Sequence, residues 1–470
     1  MNSITLHAGD NRASLAAMIA RGELVDSVVT DPPYGLVSTT KRFGAEKAAP
    51  AKFGSDGAFA RASSGFMGSK WDATGIERDP EFWSLLFQVL KPGGYVLAFS
   101  SPRTGHWQAC AIEMAGFIMH PFFGWVYGSG FPKAHNASKA IDRELGTSGV
   151  IVPIGEPVKR MIPGNQQHVS GDWIKTDDRE YQPGTYVPGS DDAAQWEGWA
   201  YGAQSMKPAL EPIYVGQKPF AEKNGALNLL KHGVGAMNID GCRVEATGEG
   251  RNREGEVSQQ RRYTEAGSTN FAATPGPRGG SPAGRHPANL LHDGSDNVVA
   301  MFPAKAGAHA PVTGVEPSGK TGNVYGQFTA RTPSDRTGDL GSAARFFNSF
   351  PTSGESEYEN GTQREQALEC DPLFYHAKAN KTDRSGSKHP TVKPIALMRW
   401  LCRLVTPPGG TVLDPFGGSG TTAAAARAEN FDCILMEAEP QFIADIKRRF
   451  DLADDDFADL MPDDFAALIA

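Results

Sequence analysis

Cysteine is scarce in this 470-residue chain, and the five present, Cys110, Cys242, Cys370, Cys402 and Cys433, are scattered. None stands in a Cys-x-x-Cys pair or at zinc-ligand spacing, so a disulfide framework and a structural metal are excluded and the thiols read as reduced and mostly buried. No apolar run approaches membrane-spanning length, and Met1 to Asp10 lacks a signal-peptide pattern. The expected location is the cytoplasm, with no membrane partner and no metal.

Another lack is local. From residue 451 onward there is no Lys or Arg, while Asp451, Asp454, Asp455, Asp456, Asp459, Asp463 and Asp464 account for most of the formal charge of −8 and leave the remainder nearly neutral. The balance reverses in Lys378, Lys381, Arg384, Lys388, Lys393, Arg399 and Arg403, which face Asp383 alone. That stretch suits phosphates or carboxylates, or is a solvated basic surface. The 54 glycines and 33 prolines exceed average usage and predict long irregular segments. The length suffices for two or three domains with a large core.

Read in order, Ile4 to Ala8 is a strand, Gly9-Asp10 its carboxyl-end turn, and Arg12 to Arg21 a helix with Leu15, Met18 and Ile19 on one face. The β-branched run Val25 to Thr30 is a buried strand that Pro32 and Pro33 must end, because neither can donate to a ladder. Gly35 to Lys70 has no periodicity and reads either as a lid or as disordered chain. Asp79-Pro80 opens a helix to Leu90, which Lys91-Pro92-Gly93-Gly94 stops. Tyr95 to Phe99 is a strand, Gly105 to Ala115 a helix, and Phe117 to Tyr127 one or two further strands, antiparallel at the sheet edge.

From about residue 136 to 370 the alternation weakens. Trp173, Tyr181, Tyr186, Trp196, Trp199 and Tyr201 are interleaved with Gly, Pro and Asp, and Gly248 to Pro282 is rich in Arg and Gly. Such residues suit base stacking and phosphate contact, or equally a small loop-rich core. Regularity returns with a strand at Gly410 to Leu413, a turn at Asp414-Pro415-Phe416-Gly417-Gly418-Ser419-Gly420-Thr421-Thr422, an alanine-rich helix to Glu429, and a strand from Asp432 to Met436 ending at Glu437. The turn lacks a P-loop lysine and does not match Gly-x-Gly-x-x-Gly, which disfavours a triphosphate or an ordinary dinucleotide. Glu437 follows at the spacing of a ribose acceptor, so a nucleoside without a large anion fits better.

The alternation predicts an α/β fold with a doubly wound, mostly parallel, Rossmann-like sheet. One carboxy-terminal β-α-β unit cannot bury both faces of a sheet, and the amino-terminal strands lack a cofactor turn. The two ends are therefore expected to combine, with the middle as an insertion.

Asp31-Pro32-Pro33-Tyr34 falls at a strand's carboxyl end, the edge at which open α/β sheets bind ligands. Taken alone it is equally an extended Pro-Pro turn with a capping Asp. The chemistry these groups suit is transfer to an exocyclic amine whose lone pair is delocalised into a heteroaromatic ring. Acceptors at its two hydrogens, the Asp31 carboxylate and the Pro32 carbonyl, favour the pyramidal, increasingly positive nitrogen of the transition state. Tyr34 stacks on the ring in this reading.

With both motifs in hand, the sequence resembles the permuted (β-class) DNA amino-methyltransferases, S-adenosylmethionine-dependent enzymes acting on adenine N6 or cytosine N4. Asp31-Pro32-Pro33-Tyr34 looks like the catalytic motif and Asp414 to Thr421 like the cofactor loop. His389-Pro390-Thr391-Val392-Lys393-Pro394 is similar to the motif before that loop, which helps hold the cofactor's methionine end. Stretches such as Gly130 to Asn136, Met237 to Arg243 and Gly284 to Leu290 resemble a phage and prophage subgroup. Leu435-Met436-Glu437 departs from relatives, which often carry Gly shortly before the acidic residue.

The resemblance implies a circularly permuted domain. Residues 1–135 form its catalytic half, 136–370 an inserted target-recognition region, 371–450 its cofactor-binding half and 451–470 an acidic tail. It implies site-specific methylation of a flipped-out base in double-stranded DNA, in a bacterium or phage-infected cell. Asp10 is expected at the cofactor's adenine amine, Glu437 at its ribose, Phe416 beside it, Thr391 and Lys393 near its carboxylate, and Asp414, Gly417, Gly418, Ser419, Gly420 and Thr421 around it. No Pro-Cys pair is present, so cytosine C5 chemistry is disfavoured. Asp at the first motif position is commoner in adenine enzymes, so adenine N6 is expected. Cytosine N4, RNA or protein glutamine, and a silent DNA-binding relative are the alternatives. The resemblance admits a homodimer or a partner restriction endonuclease and fixes neither.

Overall fold

Short apolar runs bounded by turn residues pair into one sheet. The computed structural model describes residues 2–35, 74–128, 130, 132–159, 165–167, 173–175, 180–245, 284–304, 341–351, 381–387, 389 and 391–452. Two compact units result, Met1–Ala236 with Thr352–Ala470, and Met237–Pro351. The first holds strands β1 (Ile4–Ala8), β2 (Val25–Thr30), β3 (Leu90–Phe99), β4 (Ile118–Val126), β5 (Leu210–Gln217), β6 (Thr411–Asp414) and β7 (Asp432–Glu437). Their order across the sheet is β1-β7-β6-β2-β3-β5-β4. The first five neighbours run parallel, and β5 is antiparallel to both β3 and β4. The fold is α/β with a mostly parallel sheet, and strands from both ends of the chain interleave in it.

Helices cover both faces because alternate residues of the central strands are apolar on both sides. Helices α1 (Asn11–Arg21), α2 (Pro80–Val89) and α3 (Gly105–Met114) bring Leu15, Met18, Phe82, Trp83, Leu86 and Ile112 onto Val28, Val96, Ala98, Leu413, Ile434 and Met436. The intervening Val29, Leu97, Val412 and Leu435 are equally buried. Helix α4 (Ile395–Val405) lies against β2 and β3, and α5 (Thr421–Ala428) against β6 and β7. Helix α6 (Pro440–Phe450) adds Phe442 and Ile446 beside β7.

Two elements differ from the sequence reading. Lys91-Pro92-Gly93-Gly94 does not separate α2 from β3, because β3 begins at Leu90 and the pairing with β2 slips between Val25 and Ser27 to absorb the extra residues. Lys218 makes this possible by donating to the carbonyls of Phe87 and Leu90 at 2.6 and 2.7 Å, capping the end of α2. The other is β5, a full strand within the stretch read as an insertion. Pro212 and Gly216 masked its alternation, yet it pairs on both sides.

In the rest of the middle stretch, Asp142 on the helix Ala137–Glu144 gathers four donors. Its Oδ1 accepts from Ser190 Oγ at 2.6 Å and Thr147 Oγ1 at 2.9 Å, and its Oδ2 from Tyr186 Oη and Gly189 N, both at 2.8 Å. These bonds, Gly189's first, hold its carboxyl down at about 2. Tyr186 is thereby structural, whereas Trp199 and Tyr201 are exposed. In the second unit, Leu290–His292 and Asn348–Ser349 pair in parallel, and Asn348 Nδ2 donates to Cys242 O at 3.3 Å. Cys242, Cys402 and Cys433 are buried free thiols and Cys110 is exposed. Most of the Gly35 to Lys70 loop, the Gly248 to Pro282 run, Cys370 and the tail beyond Leu452 lie outside the described residues. Among those described, no helix is long and apolar enough to cross a membrane.

Leu86→Ala should lower unfolding free energy by roughly 2–5 kcal/mol in chemical denaturation, since Leu86 is wholly enclosed. Asp142 titrates lower folded than free, so its stabilisation is complete above the ordinary value of 3.8 and is lost as pH falls towards about 2. Urea midpoints should therefore show Asp142→Asn less stable than the parent at neutral pH, with the gap closing as acid is added.

Candidate active site

The carboxyl ends of β1, β7, β6 and β2 stand side by side, and the turns leaving them line one cavity of about 1150 Å³. Its wall includes Asp10 after β1, the whole of Asp31-Pro32-Pro33-Tyr34 after β2, and Asp414 to Ser419 with Thr421 after β6. Glu437 closes β7, and Thr391 and Lys393 come from the segment before α4. The structure thus brings together every site residue named from the sequence except Gly420, which lies behind the wall at the start of α5.

Each turn is held by its own backbone. Asp10 caps α1, its Oδ1 accepting from Arg12 N at 2.7 Å. Gly417 N donates to Met436 O at 2.8 Å and Gly420 N to Gly417 O at 2.8 Å, which folds the glycine turn tightly onto β7. Gly418, at φ +51°, sends its N–H to Glu437 Oε2 at 2.7 Å, while Glu439 N reaches Oε1 at 2.8 Å. Burial raises the Glu437 carboxyl against these bonds. Phe416 packs on Phe82 with ring centres 5.3 Å apart.

Asp414 is the hinge between the motifs. Its Oδ1 accepts from Thr30 Oγ1 at 2.7 Å and Phe416 N at 3.0 Å, and its Oδ2 from Thr422 Oγ1 at 2.5 Å. Enclosure pushes its carboxyl up to about 7, with Asp31 adding to the rise and the three donors opposing it.

At the tetrad, Tyr34 O accepts from Thr104 Oγ1 at 2.5 Å and Tyr34 Oη donates to Glu211 Oε2 at 3.3 Å. Lys393 is bonded directly to Asp31 Oδ2 and donates to Tyr34 Oη at 3.1 Å. Its ammonium lies 3.8 Å from Glu211 Oε2. Lys393, expected at the cofactor's carboxylate, is bonded to the Asp31 carboxylate in this structure. Asp31 Oδ1 is buried and has no hydrogen-bond partner. Burial raises the Asp31 carboxyl, Lys393 opposes that rise and Glu211 adds to it. Burial, then the charges of Asp31 and Glu211, raise Tyr34 well above the usual phenol range, so it stays neutral.

Glu211 was not found from the sequence, although it is the only charged side chain in the apolar run Leu210–Gln217. His389 was named only as part of a motif. It packs edge-on against Phe442 at 4.4 Å, and burial lowers its imidazole to about 4, leaving it neutral. Three arginines of the basic stretch are partnered within the chain. Arg399 and Arg403 both pair with Glu429, at 2.7 and 2.6 Å, and Arg384 donates to His389 O at 3.0 Å. No group of three or more His, Cys, Asp or Glu with metal-holding geometry occurs among the described residues.

Residues 327–448, which include the Thr391 and Lys393 segment, the glycine turn and Glu437, match the DNA methylase family N6_N4_Mtase. A curated relative, the type II methyltransferase M.BglI of Bacillus subtilis, is 45% identical over 71 residues, a stretch spanning 15% of this chain and only 19% of that protein. Among solved structures, the M1.HpyAVI-SAM complex superposes over 96% of this chain and 100% of its own at 13% identity and a TM-score of 0.36. The PvuII DNA methyltransferase (cytosine-N4-specific) does so over 97% and 88%, at 13% and 0.33. The carboxy-terminal segment is thus similar in sequence to the DNA methylase family.

Gly420→Ala should cost roughly 1 kcal/mol or more in urea denaturation, because Gly420 sits at φ +76° and a Cβ there would meet Phe450 Cε2 at 2.9 Å.

Proposed function

We propose that this chain is a DNA amino-methyltransferase that moves a methyl group from S-adenosylmethionine to the exocyclic amine of a base flipped out of a duplex, with adenine N6 favoured over cytosine N4. The observation that carries the reading is the Asp31 carboxylate, buried with its Oδ1 unpartnered, on a residue that lines the same cavity as the glycine turn and Glu437.

The donor set fits that cofactor. Glu437 at the end of β7 suits a ribose diol, and the turn from Pro415 to Gly420 has no cation to hold a polyphosphate. Asp10, Asp31, Glu211, Asp414, Glu437 and Glu439 crowd the wall, an acidic surrounding that favours a cation over an anion. When bound, S-adenosylmethionine supplies an electrophilic methyl on a positively charged sulfur. The bonding pair of that methyl stays with sulfur, the amine nitrogen forms the new bond, and one amine proton is released.

Asp31 Oδ1 and the Pro32 carbonyl accept from the amine and favour its positive, pyramidal form. Tyr34 offers a neutral aromatic face to the base. Unstacking the base costs a few kcal/mol, which such contacts offset. Arg103 and Lys207, both exposed on the cavity wall, suit backbone phosphates. The order of catalytic motif before cofactor turn is that of a circularly permuted relative. Asp at the head of the tetrad favours adenine.

With methyl-labelled S-adenosylmethionine, duplex DNA should take up label while RNA and protein do not. Asp31→Ala should reduce the rate by roughly 10²-fold or more while equilibrium dialysis still shows cofactor binding. Digestion to nucleosides should yield N6-methyladenine. N4-methylcytosine would reverse the base choice, and label in RNA or protein alone would reverse the choice of polymer.

A further inference from the structure

Resting on that methyl-transfer reading, we propose that Lys393 and Glu211 are a pair of positioning residues for Asp31. Lys393 holds Oδ2 and so fixes the orientation of the carboxylate, and the opposed charges of Lys393 and Glu211 together set the charge state of Asp31.

Lys393 is committed to this cluster. Its side chain is 6% exposed, and its ammonium bonds Asp31 Oδ2 and Tyr34 Oη and pairs with Glu211 Oε2. The same ammonium lies over the rings of Phe99 at 4.7 Å and Tyr34 at 5.4 Å. An ammonium has three protons, and three acceptors surround it here. Reaching a cofactor carboxylate would require it to abandon a buried carboxylate, a costly exchange. Gripping one oxygen restricts rotation of the Asp31 carboxylate and keeps the positive charge beside it.

The charge count is the second element. Asp31 and Glu211 are two enclosed carboxylates sharing one cation, and without it two like charges in a poorly solvated site would retain a proton. The other groups near this cluster are the neutral phenol of Tyr34, the Tyr127 side chain, Asp414 from β6, and His389 beside Lys393. The Asp31 charge adds to the raised proton affinity of Asp414. His389 is neutral above about 4 and adds no charge there. Lys393 is thus the cation of the cluster, and Glu211 is its counterweight.

The test uses the full-length protein carrying ¹³C-carboxyl aspartate, with the Asp31 resonance assigned by its absence in Asp31→Asn. Titration by NMR reads the ionisation of Asp31 with no substrate present, and the pH dependence of single-turnover DNA methylation is read in parallel. Lys393→Met should move the Asp31 midpoint and the acid limb up by roughly 1–3 pH units, and Glu211→Gln should move both down. The double variant should lie near the parent, and Lys393→Arg should hold the parental position. Circular dichroism checks folding, and should Lys393→Met not fold, the downward shift of Glu211→Gln carries the test. An Asp31 midpoint unmoved in folded Lys393→Met, or in Glu211→Gln, overturns the inference even if DNA is methylated normally. Midpoints that move as stated in a protein that methylates no DNA would uphold the pairing and overturn the functional reading instead.

Discussion

Thr30 and Asp414 stand 384 positions apart, yet a buried hydrogen bond of 2.7 Å holds them level. That bond tops the parallel ladder in which Ser27 faces Val412 and Val28 faces Leu413. Below it, Asp26 accepts from Thr411 N at 2.8 Å and Lys91 Nζ at 2.6 Å, and Ser27 meets Thr406 at 2.8 Å. The first of these ties β2 to β6, the second ties β2 to β3, and the third ties β2 to the end of α4. A one-residue slip would turn Thr30 and Asp414 away from each other and exchange the two apolar faces. The cavity exists because this register brings the proline tetrad and the glycine turn out on the same edge.

The same edge accumulates buried acid. Burial raises Asp31, Asp414 and Glu437 alike, and each is answered differently: Asp31 by a lysine, Asp414 by two hydroxyls and an N–H, Glu437 by backbone N–H groups. Neutral donors anchor a turn without cancelling its field. Asp31 alone of the three is answered by a full positive charge. Perturbed carboxylates gathered in one cleft mark a functional site more strongly than any one of them alone.

The strands flanking the site were legible because β-branched and apolar runs such as Val25 to Thr30 and Asp432 to Glu437 end abruptly in turn residues. The mixed strand β5 was not, since Pro212 and Gly216 interrupt its pattern while the neighbours β3 and β4 supply the pairing that makes it a strand. Lys91 to Gly94 read as a break because Pro and Gly usually are one. Here Lys218, more than a hundred residues on, caps the helix end and lets the ladder take in the irregularity. The basic run around Arg399 looked like a surface for anions, but Glu429 neutralises two of its arginines internally.

The sequence by itself determined most of the strands and helices that flank the site, and which of their ends carry carboxylate, aromatic and glycine. Those are local matters of periodicity and backbone stereochemistry. Only the tertiary structure decided that Lys393 turns to Asp31, that Glu211 joins them from a distant strand, and that Gly420 supports the wall without lining it. Contacts of that kind depend on strand order and register across hundreds of residues, and an ammonium buried among several acceptors goes to the nearest charge, which no spacing along the chain encodes.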